Sequence, residues 1–225
     1  LAGMPVYAKA RGEEFPLVIA GGPCAFNPEP LADFVDLFLI GDGEQALPAL
    51  VQKYIECKQN GITTKEGFLR EACQLEGVYV PRFYDVVYAE DGTIKELCKL
   101  YEGAPLPVCR AILPEIETVD FPVEPVIPIV EAVHDRSVVE TFRGCTRGCR
   151  FCQAGMIYRP VRERSKDKIL QLAEKQLKNT GNDELSLLSL STSDHSCFEA
   201  LTMALIDYTK RENISLSLPS LRVDK

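Results

Sequence analysis

Histidine is scarce in this sequence, and long apolar runs are absent. The 225 residues include two histidines, His134 and His195, so few imidazoles are available to a metal site. No stretch approaches the roughly 18 consecutive apolar residues of a membrane-spanning helix, and no basic segment precedes an apolar core as in a signal peptide. Acidic residues outnumber basic ones, 33 to 25. This balance gives no signal for nucleic-acid binding, and we expect neither a membrane protein nor a nucleic-acid-binding protein.

Cysteine, by contrast, is abundant, with nine residues. The odd number argues against the disulfide framework of a small secreted protein. Cys145, Cys149 and Cys152 form a cluster within a single short stretch. We expect the other six to be small, mostly buried thiols in a reducing compartment, which indicates a cytoplasmic protein. These six are Cys24, Cys57, Cys73, Cys98, Cys109 and Cys197.

The first section of the chain, residues 1–61, is predicted to alternate strand, helix, strand and helix. Apolar runs at 16–23 and 35–44 both end in glycines, as buried strands do before a sharp turn. Asn27 is placed to cap a helix between them, with proline following at the first helical position. The periodicity of 44–61 predicts a second helix. Its apolar face comprises Leu47, Leu50, Val51, Tyr54 and Ile55. This alternation is typical of the parallel strands of a doubly wound α/β fold.

Ligands of doubly wound folds bind beyond the carboxyl ends of the parallel strands. In this sequence two glycine-containing turns follow the predicted strands. The glycines concerned are Gly21, Gly22, Gly41 and Gly43. They are candidates for a ligand loop, and tight turns alone are an equally good explanation for any one of them.

The second section, residues 62–133, is predicted to connect two domains. Two alternating stretches flank Asp91 and Gly92, which is a β-hairpin signal. The prolines that follow exclude long helices and central strands. They are Pro105, Pro107, Pro114, Pro122, Pro125 and Pro128.

The third section, residues 134–225, returns to strand and helix alternation. The predicted elements are, in order, a strand at 136–142, a helix between Ser165 and Gly181, a strand at 184–194, a helix at 197–213 and a strand at 214–224. Ser165 is a favourable N-cap for the first helix. Three strands are too few to close a barrel of six or eight.

The clustered cysteines follow the first of these strands with the spacing C-x3-C-x2-C. A structural zinc site needs a fourth ligand, which His134 or His195 would have to supply. A thioredoxin-like pair needs two cysteines and would leave Cys145 unexplained. A cubane cluster has four irons, and three thiolates would leave one iron open to another ligand, as in a catalytic metal site. The residues favour this cluster, and a non-catalytic iron–sulfur or zinc module is the alternative.

The stretch GCTRGCRFCQAG resembles the signature of the radical SAM superfamily, C-x3-C-x-aromatic-C, with Phe151 in the aromatic position. The resemblance implies that Cys145, Cys149 and Cys152 ligate a 4Fe-4S cluster whose open iron binds S-adenosyl-L-methionine (SAM). An electron from a donor such as flavodoxin or ferredoxin would then cleave SAM to a 5′-deoxyadenosyl radical. The implied fold is the first half of a partial (β/α)6 TIM-like barrel. The substrate is not indicated; methylation or thiolation of an unreactive carbon would fit.

The front of the chain carries a second resemblance. GGPCAFNPEPLADFVDLFLIGDGE is similar to the carboxyl-terminal half of the cobalamin-binding-like domain that precedes the barrel in one branch, and RGCTRGCRFCQAGMIYRPVRERS resembles an orphan subfamily of that branch. The sequence has no Asp-x-His-x-x-Gly, the usual source of a cobalt-ligating histidine, so cobalamin is a doubtful cofactor. Because the chain begins with Leu1 and carries half a barrel, we expect a piece of a longer enzyme, with weak activity of its own.

Polar residues near the ends of the second and third strands are candidates for binding SAM. Ser193 and Asp194 occupy the place where superfamily members often offer acceptors to the SAM amino group, and a helix N-cap is the alternative role. Ser217, Ser220 and Arg222 could meet the ribose or carboxylate of SAM.

Arginines are concentrated around the cysteines. Guanidinium groups suit carboxylates and phosphates, and positive charge stabilises thiolates. We expect the set to serve the site, with a solvated basic face as the alternative. The six are Arg143, Arg147, Arg150, Arg159, Arg162 and Arg164.

Overall fold

The structure is a computed structural model that describes residues 3–130 and 133–223. The chain divides into two compact units, Leu1–Leu113 and Pro114–Lys225. The division of the sequence into residues 1–61, 62–133 and 134–225 stays a prediction. Across the described ranges, no helix combines the length and the apolar character needed to cross a membrane.

The first unit is mixed α/β. Its elements are β1 (Ile19–Ala20), β2 (Leu37–Leu39), α1 (Gly43–Gln59), α2 (Lys65–Ala72), β3 (Val78–Tyr79), β4 (Tyr84–Tyr88) and β5 (Ile94–Lys99). β1 and β2 pair in parallel, as predicted, while β3 pairs with the other edge of β2 in the antiparallel sense. β4 and β5 form the hairpin predicted around Asp91 and Gly92.

The strand β2 is the middle strand of the three-stranded sheet of the first unit, and its three residues are buried. Just before it, the carboxylate of Asp36 is fully buried and accepts hydrogen bonds from Arg11 Nη2 at 2.8 Å, from the backbone N–H of Val18 at 2.9 Å and from Arg82 Nη2 at 3.1 Å. A buried carboxylate requires such partners. Asp36 therefore joins three separate segments of the chain around the central strand.

The helix predicted to start at Asn27 is absent. Two short 3-10 turns, Pro23–Phe26 and Glu29–Leu31, occupy this segment. An isolated helical segment this short gains few hydrogen bonds for the entropy it loses, and proline at 28 and 30 removes two backbone donors. The prediction was wrong because it rested on a favourable start signal without enough following residues.

The second predicted helix is present as α1, but its apolar face is only partly covered. Leu50 and Cys57 are buried, and the ring of Tyr54 meets that of Phe68 edge-on at 5.2 Å between centroids. The remaining predicted face residues are 43 to 51% exposed: Leu47, Val51, Tyr54 and Ile55. Only one row of the predicted face packs into the core of the unit.

The second unit contains a parallel sheet with two crossover helices. Its elements are β6 (Ser137–Glu140), β7 (Phe142–Arg143), α3 (Ala154–Ile157), β8 (Arg162–Glu163), α4 (Lys166–Thr180), β9 (Glu184–Leu188), α5 (Phe198–Glu212) and β10 (Ser215–Ser217). The strand order is β10-β9-β6, and both pairings are parallel. Apolar residues of α4, α5, β6 and β9 form one buried core.

The boundaries of α4 follow the sequence prediction closely. Ser165 caps the helix by accepting a hydrogen bond from the N–H of Lys168 at 3.1 Å, and Gly181 ends it with φ +74°. The strands are shorter than predicted: the run predicted at 214–224 forms a strand only at β10, and position 224 lies outside the described residues. Pro219 lacks the N–H that a longer strand would use.

The scattered cysteines are less buried than predicted. Cys57 and Cys73 are buried, and burial raises the pKa of both thiols. Cys24 and Cys109 are exposed, so the expectation of mostly buried thiols was wrong for them. Cys98 and Cys197 are intermediate.

Candidate metal centre

The clustered cysteines lie in a loop that is closed at its base. After β6, the short strand β7 pairs with β8 in the antiparallel sense, with Phe142 opposite Glu163 and Arg143 opposite Arg162. Residues 144–161 form the loop between these strands. The sequence analysis missed this pairing, because two-residue strands carry no periodicity.

Two residues hold the base of the loop together. Gly144 has φ +93°, and a Cβ atom there would lie 2.6 Å from the carbonyl oxygens of both Tyr158 and Pro160. The buried guanidinium of Arg162 donates to the same two carbonyls, at 3.1 Å to Tyr158 and 3.0 Å from Nε to Pro160. The ends of the loop are therefore fixed by a close backbone approach and by a guanidinium clamp.

Backbone N–H groups of the loop point at two of the cysteine sulfurs. The N–H of Arg147 donates to Cys145 Sγ and that of Gly155 to Cys152 Sγ, both at 3.4 Å. Cys149 is exposed and the other two thiols are half-buried. Within residues 3–130 and 133–223, no three His, Cys, Asp or Glu side chains are arranged as a ready metal site. The three thiols share one loop without converging.

The donor set nevertheless suits an iron–sulfur cluster. Three accessible thiols lie within one closed loop, and thiolate ligands of such clusters characteristically accept backbone hydrogen bonds. Two of these sulfurs already accept such bonds. Residues 144–161 thus offer ligands and sulfur contacts of the right chemistry.

Asp194 connects this loop to the ends of the parallel strands. Its Oδ2 accepts from Arg147 Nε at 3.1 Å and from Ser191 Oγ at 2.8 Å, and its Oδ1 accepts from Arg147 Nη2 at 2.8 Å and from Arg222 Nη1 at 2.9 Å. The Arg147 guanidinium, together with Ser191 and Arg222, holds the pKa of Asp194 well below its usual range. The carboxylate is therefore ionised throughout the physiological pH range.

The other predicted SAM residues lie close to this network or outside it. Ser193 is buried, Ser217 is half-buried, and Ser220 is exposed with φ +58°. Phe151 is 92% exposed. The N-cap of α5 is Cys197 rather than Asp194, so the alternative role of Asp194 as a cap of that helix is not the one observed.

The exits of β9 and β10 are joined through Thr192. Its N–H donates to the carbonyl of Ser220 at 3.2 Å and its hydroxyl donates to the carbonyl of Pro219 at 2.6 Å. Arg222 then reaches Asp194. Asp194 and Arg222, predicted from separate strand ends, are thus brought together, and Arg147 joins them from the cysteine loop.

Most of the arginines around the cysteines contact the protein itself. Arg143 forms a two-pronged contact with Glu140 at 2.9 and 3.0 Å. The buried Arg164 donates to the carbonyl of Ile116 and packs over the ring of Phe121. Together with Arg147 and Arg162 above, these contacts show that the arginines shape the loop and its surroundings.

His195 is engaged on both ring nitrogens. Nδ1 accepts from the N–H of Cys197 at 3.2 Å, which leaves Nε2 to donate to the carbonyl of Arg164 at 3.1 Å. The ring is buried. His195 therefore has no nitrogen left to serve as the fourth ligand of a zinc site in this arrangement.

A cavity of about 350 Å³ lies beside the base of the cysteine loop. Residues at the carboxyl ends of β6 and β9 line it together with loop residues, including Glu140, Gly144, Tyr158 and Ser189. Ligands of parallel α/β sheets characteristically bind at this end of the strands. The cavity is the candidate space for a small molecule next to the cysteines.

The glycines proposed as a ligand loop in the first unit differ in whether the structure requires a glycine at the position. Gly41 has φ +115°, and a Cβ atom there would overlap the backbone of Ala111; the neighbouring Asp42 accepts from the N–H of Leu113. Gly22 has φ +88° with open space around it, and Gly43 also faces open space. A Cβ at Gly21 would make only ordinary contact. Packing alone therefore explains Gly41.

Two family models match the chain, and between them they cover most of it. The model described as radical SAM proteins, N-terminal, matches residues 1–81, and that of the radical SAM superfamily matches residues 139–225, which include the cysteine loop. The chain belongs to the radical SAM superfamily. Superfamily membership carries with it the expectation of an iron–sulfur cluster and SAM, and it suggests an enzyme.

A curated relative extends the comparison along the chain. Uncharacterized protein MJ0966 of Methanocaldococcus jannaschii is 28% identical over 210 residues, which are 92% of this chain and 38% of the relative. The chain thus spans about two fifths of the length of this relative. The similarity runs through both compact units, and it assigns no substrate.

Proposed function

We propose that this protein is a radical SAM enzyme or a part of one, in which Cys145, Cys149 and Cys152 hold a 4Fe-4S cluster. The observation that carries the proposal is the closed loop 144–161, which contains all three thiols and directs backbone N–H groups to two of the sulfurs. When bound, the cluster would supply one electron to SAM and so generate a 5′-deoxyadenosyl radical.

The chain's own residues have separable tasks in this proposal. Gly144 and Arg162 close the loop that carries the cysteines, of which the outermost two, Cys145 and Cys152, are seven positions apart. The N–H groups of Arg147 and Gly155 stabilise negative charge on sulfur. SAM would lie beside the loop, with Ser193, Ser220 and Arg222 as candidate contacts. The cavity bounded by Glu140 and Ser189 lies at the base of the same loop.

The finer fold assignment belongs to the same proposal. The strands β6, β9 and β10 are sequential, parallel and joined by helices, as expected for the beginning of a (β/α)6 barrel. In the first unit, the parallel pair β1–β2 supports a remnant of a doubly wound domain, and the antiparallel β3 departs from it. Cobalamin gains no support from Gly41, which packs against Ala111.

A structural zinc or closed iron–sulfur module is the second candidate. It needs a fourth protein ligand, and both ring nitrogens of His195 are already engaged in hydrogen bonds. The electron donor, such as a flavodoxin or ferredoxin, and methylation or thiolation as the reaction rest on the superfamily resemblance. The cytoplasmic location rests on the expectation that the scattered thiols are reduced.

Anaerobic reconstitution with iron and sulfide, followed by SAM addition, tests the proposal. An open iron should change the electron paramagnetic resonance signal of the reduced cluster when SAM binds. S-adenosylhomocysteine, which lacks the sulfonium charge, serves as the matched control ligand. A chain that incorporates zinc but no iron, or a cluster whose signal is indifferent to SAM, would contradict the proposal.

A further inference from the structure

Asp194 is saturated by groups of the protein. An ionised carboxylate offers about four lone-pair sites, and Asp194 accepts four hydrogen bonds: two from Arg147, one from Arg222 and one from Ser191. In this arrangement none is left for the ammonium group of SAM. The carboxylate contacts the cysteine loop through Arg147 and the segment that follows β10 through Arg222.

Arg147 occupies a central position among the cysteines. Its N–H donates to Cys145 Sγ, and its carbonyl oxygen lies against Gly155, where an added Cβ atom would be 3.4 Å from that oxygen and 3.7 Å from Cys152 Sγ. The N–H of Gly155 in turn donates to Cys152 Sγ. The backbone of Arg147 therefore contacts Cys145 Sγ directly and lies next to Gly155, whose N–H donates to Cys152 Sγ.

The other side of Asp194 is fixed to the sheet. Thr192, two residues earlier, is bonded to the carbonyls of Pro219 and Ser220 at the exit of β10. The side chain of Asp194 is 16% exposed, whereas that of Arg147 is 47% exposed. The carboxylate is thus the fixed partner, and the arginine of the loop is the partner that it holds.

We infer that Asp194 is a positioning residue, which holds the backbone of Arg147 in place and thereby maintains the sulfur hydrogen bonds of Cys145 and Cys152. The effect on a bound cluster rests on the proposed function. The effect on the loop does not. The two-pronged guanidinium contact supplies orientation as well as attraction, which a lysine or a single hydrogen bond would not.

Hydrogen–deuterium exchange of the metal-free protein tests the positioning of the loop. In Asp194→Asn and in Arg147→Gln, we expect the amides of residues 144–157 to exchange about three- to tenfold faster, as for the loss of a partly exposed charge-assisted contact. Asp194→Glu, which keeps the charge, should restore part of the protection. Arg150→Gln is the matched control, because Arg150 lies in the same loop and is exposed; it should exchange like the wild type.

The reconstituted protein supplies a readout that a general loss of stability would not move. Hydrogen bonds to sulfur raise the reduction potential of a cluster, so their weakening in Asp194→Asn should lower it. Removing a negative charge alone would raise it, and the two explanations therefore predict opposite signs. Iron loss to a chelator should be about three- to tenfold faster in Asp194→Asn than in the wild type. The double variant Asp194→Asn/Arg147→Gln should lose iron at nearly the same rate as either single variant, since both residues serve one contact.

The outcomes separate the inference from the proposed function. Unchanged amide exchange in Asp194→Asn overturns the inference, whether or not the protein binds iron. A raised potential also overturns it, because it shows that the charge of Asp194 acts on the cluster directly. A loss of SAM affinity in Asp194→Asn that Arg147→Gln does not share overturns it as well, and indicates contact of Asp194 with SAM. Faster exchange in a protein that takes up no iron refutes the cluster and leaves the positioning of the loop intact.

Discussion

Gly144 and Pro160 approach so closely that a single carbon atom added to Gly144 would lie 2.6 Å from the Pro160 carbonyl oxygen. Sixteen positions along the chain separate them, yet together they define the neck of the cysteine loop. The positive φ of Gly144, +93°, is a conformation that L-residues with side chains avoid.

The first prediction concerns this neck. Gly144→Ala should force the loop open, because both the backbone conformation and the space exclude a methyl group; the conformational term alone costs about 1–2 kcal/mol. We expect a lower unfolding temperature and less iron per chain after reconstitution. Gly148→Ala is the control within the same loop, since a Cβ there meets nothing within 4 Å. Equal iron contents of the two variants would contradict the role of the neck.

The second prediction concerns the ligands. Alanine at Cys145, Cys149 or Cys152 should abolish the visible thiolate-to-iron absorption of the reconstituted protein, because each sulfur would hold a different iron. Cys24→Ala and Cys197→Ala should retain it, since neither residue lies in the loop. Iron and labile sulfide are measured beside the spectrum. Loss of absorption in all five variants would contradict the ligand assignment.

The third prediction concerns the core of the first unit. Asp36→Asn removes the negative charge that pairs with Arg11, whose side chain is only 1% exposed. Breaking a buried ion pair destabilises the folded state by about 3–5 kcal/mol. The midpoint of urea denaturation, followed by fluorescence or circular dichroism, should fall accordingly. Glu174→Gln breaks the exposed bridge to Lys178 and should leave the midpoint unchanged. A similar midpoint for both variants would show that Asp36 contributes no more than a surface pair.

The fourth prediction concerns alkaline pH. Burial raises the pKa of Tyr84 to about 12, and its hydroxyl donates to the carbonyl of Pro105 at 2.5 Å. Because the folded pKa lies above the unfolded value of about 10, this contribution is complete below pH 10 and is lost as the pH rises towards 12. Urea midpoints measured between pH 8 and 12 should fall over this range. Tyr84→Phe should show a shallower fall, and an identical slope would contradict the assignment.

Local sequence signals predicted the regular elements well where they were long or carried a cap. The helix α4, with Ser165 at its start and Gly181 at its end, needed no tertiary information, because both signals act on the backbone of the helix itself. The hairpin β4–β5 followed from Asp91 and Gly92 for the same reason. The helix expected after Asn27 failed, since a start signal does not ensure enough residues to propagate a helix.

Residue spacing likewise singled out the three cysteines as candidate ligands, because they are neighbours in the chain. It could not show what surrounds them. The β7–β8 pairing and the clamp of Arg162 on the carbonyls of Tyr158 and Pro160 join residues without any periodic pattern. Asp194 was predicted as a contact of SAM and Arg147 as one of the arginines serving the site, but their pairing was not predicted, as 47 positions separate the two.

The sequence by itself thus determined the candidate ligands and the long or capped elements, since both depend on signals between nearby residues. The tertiary structure alone decided that Gly41 packs against Ala111, that both ring nitrogens of His195 are hydrogen-bonded, and that Asp194 pairs with Arg147 of the cysteine loop. The physical reason is common to all three. Each depends on a close approach between segments that only the packing of strands and loops brings within hydrogen-bond distance.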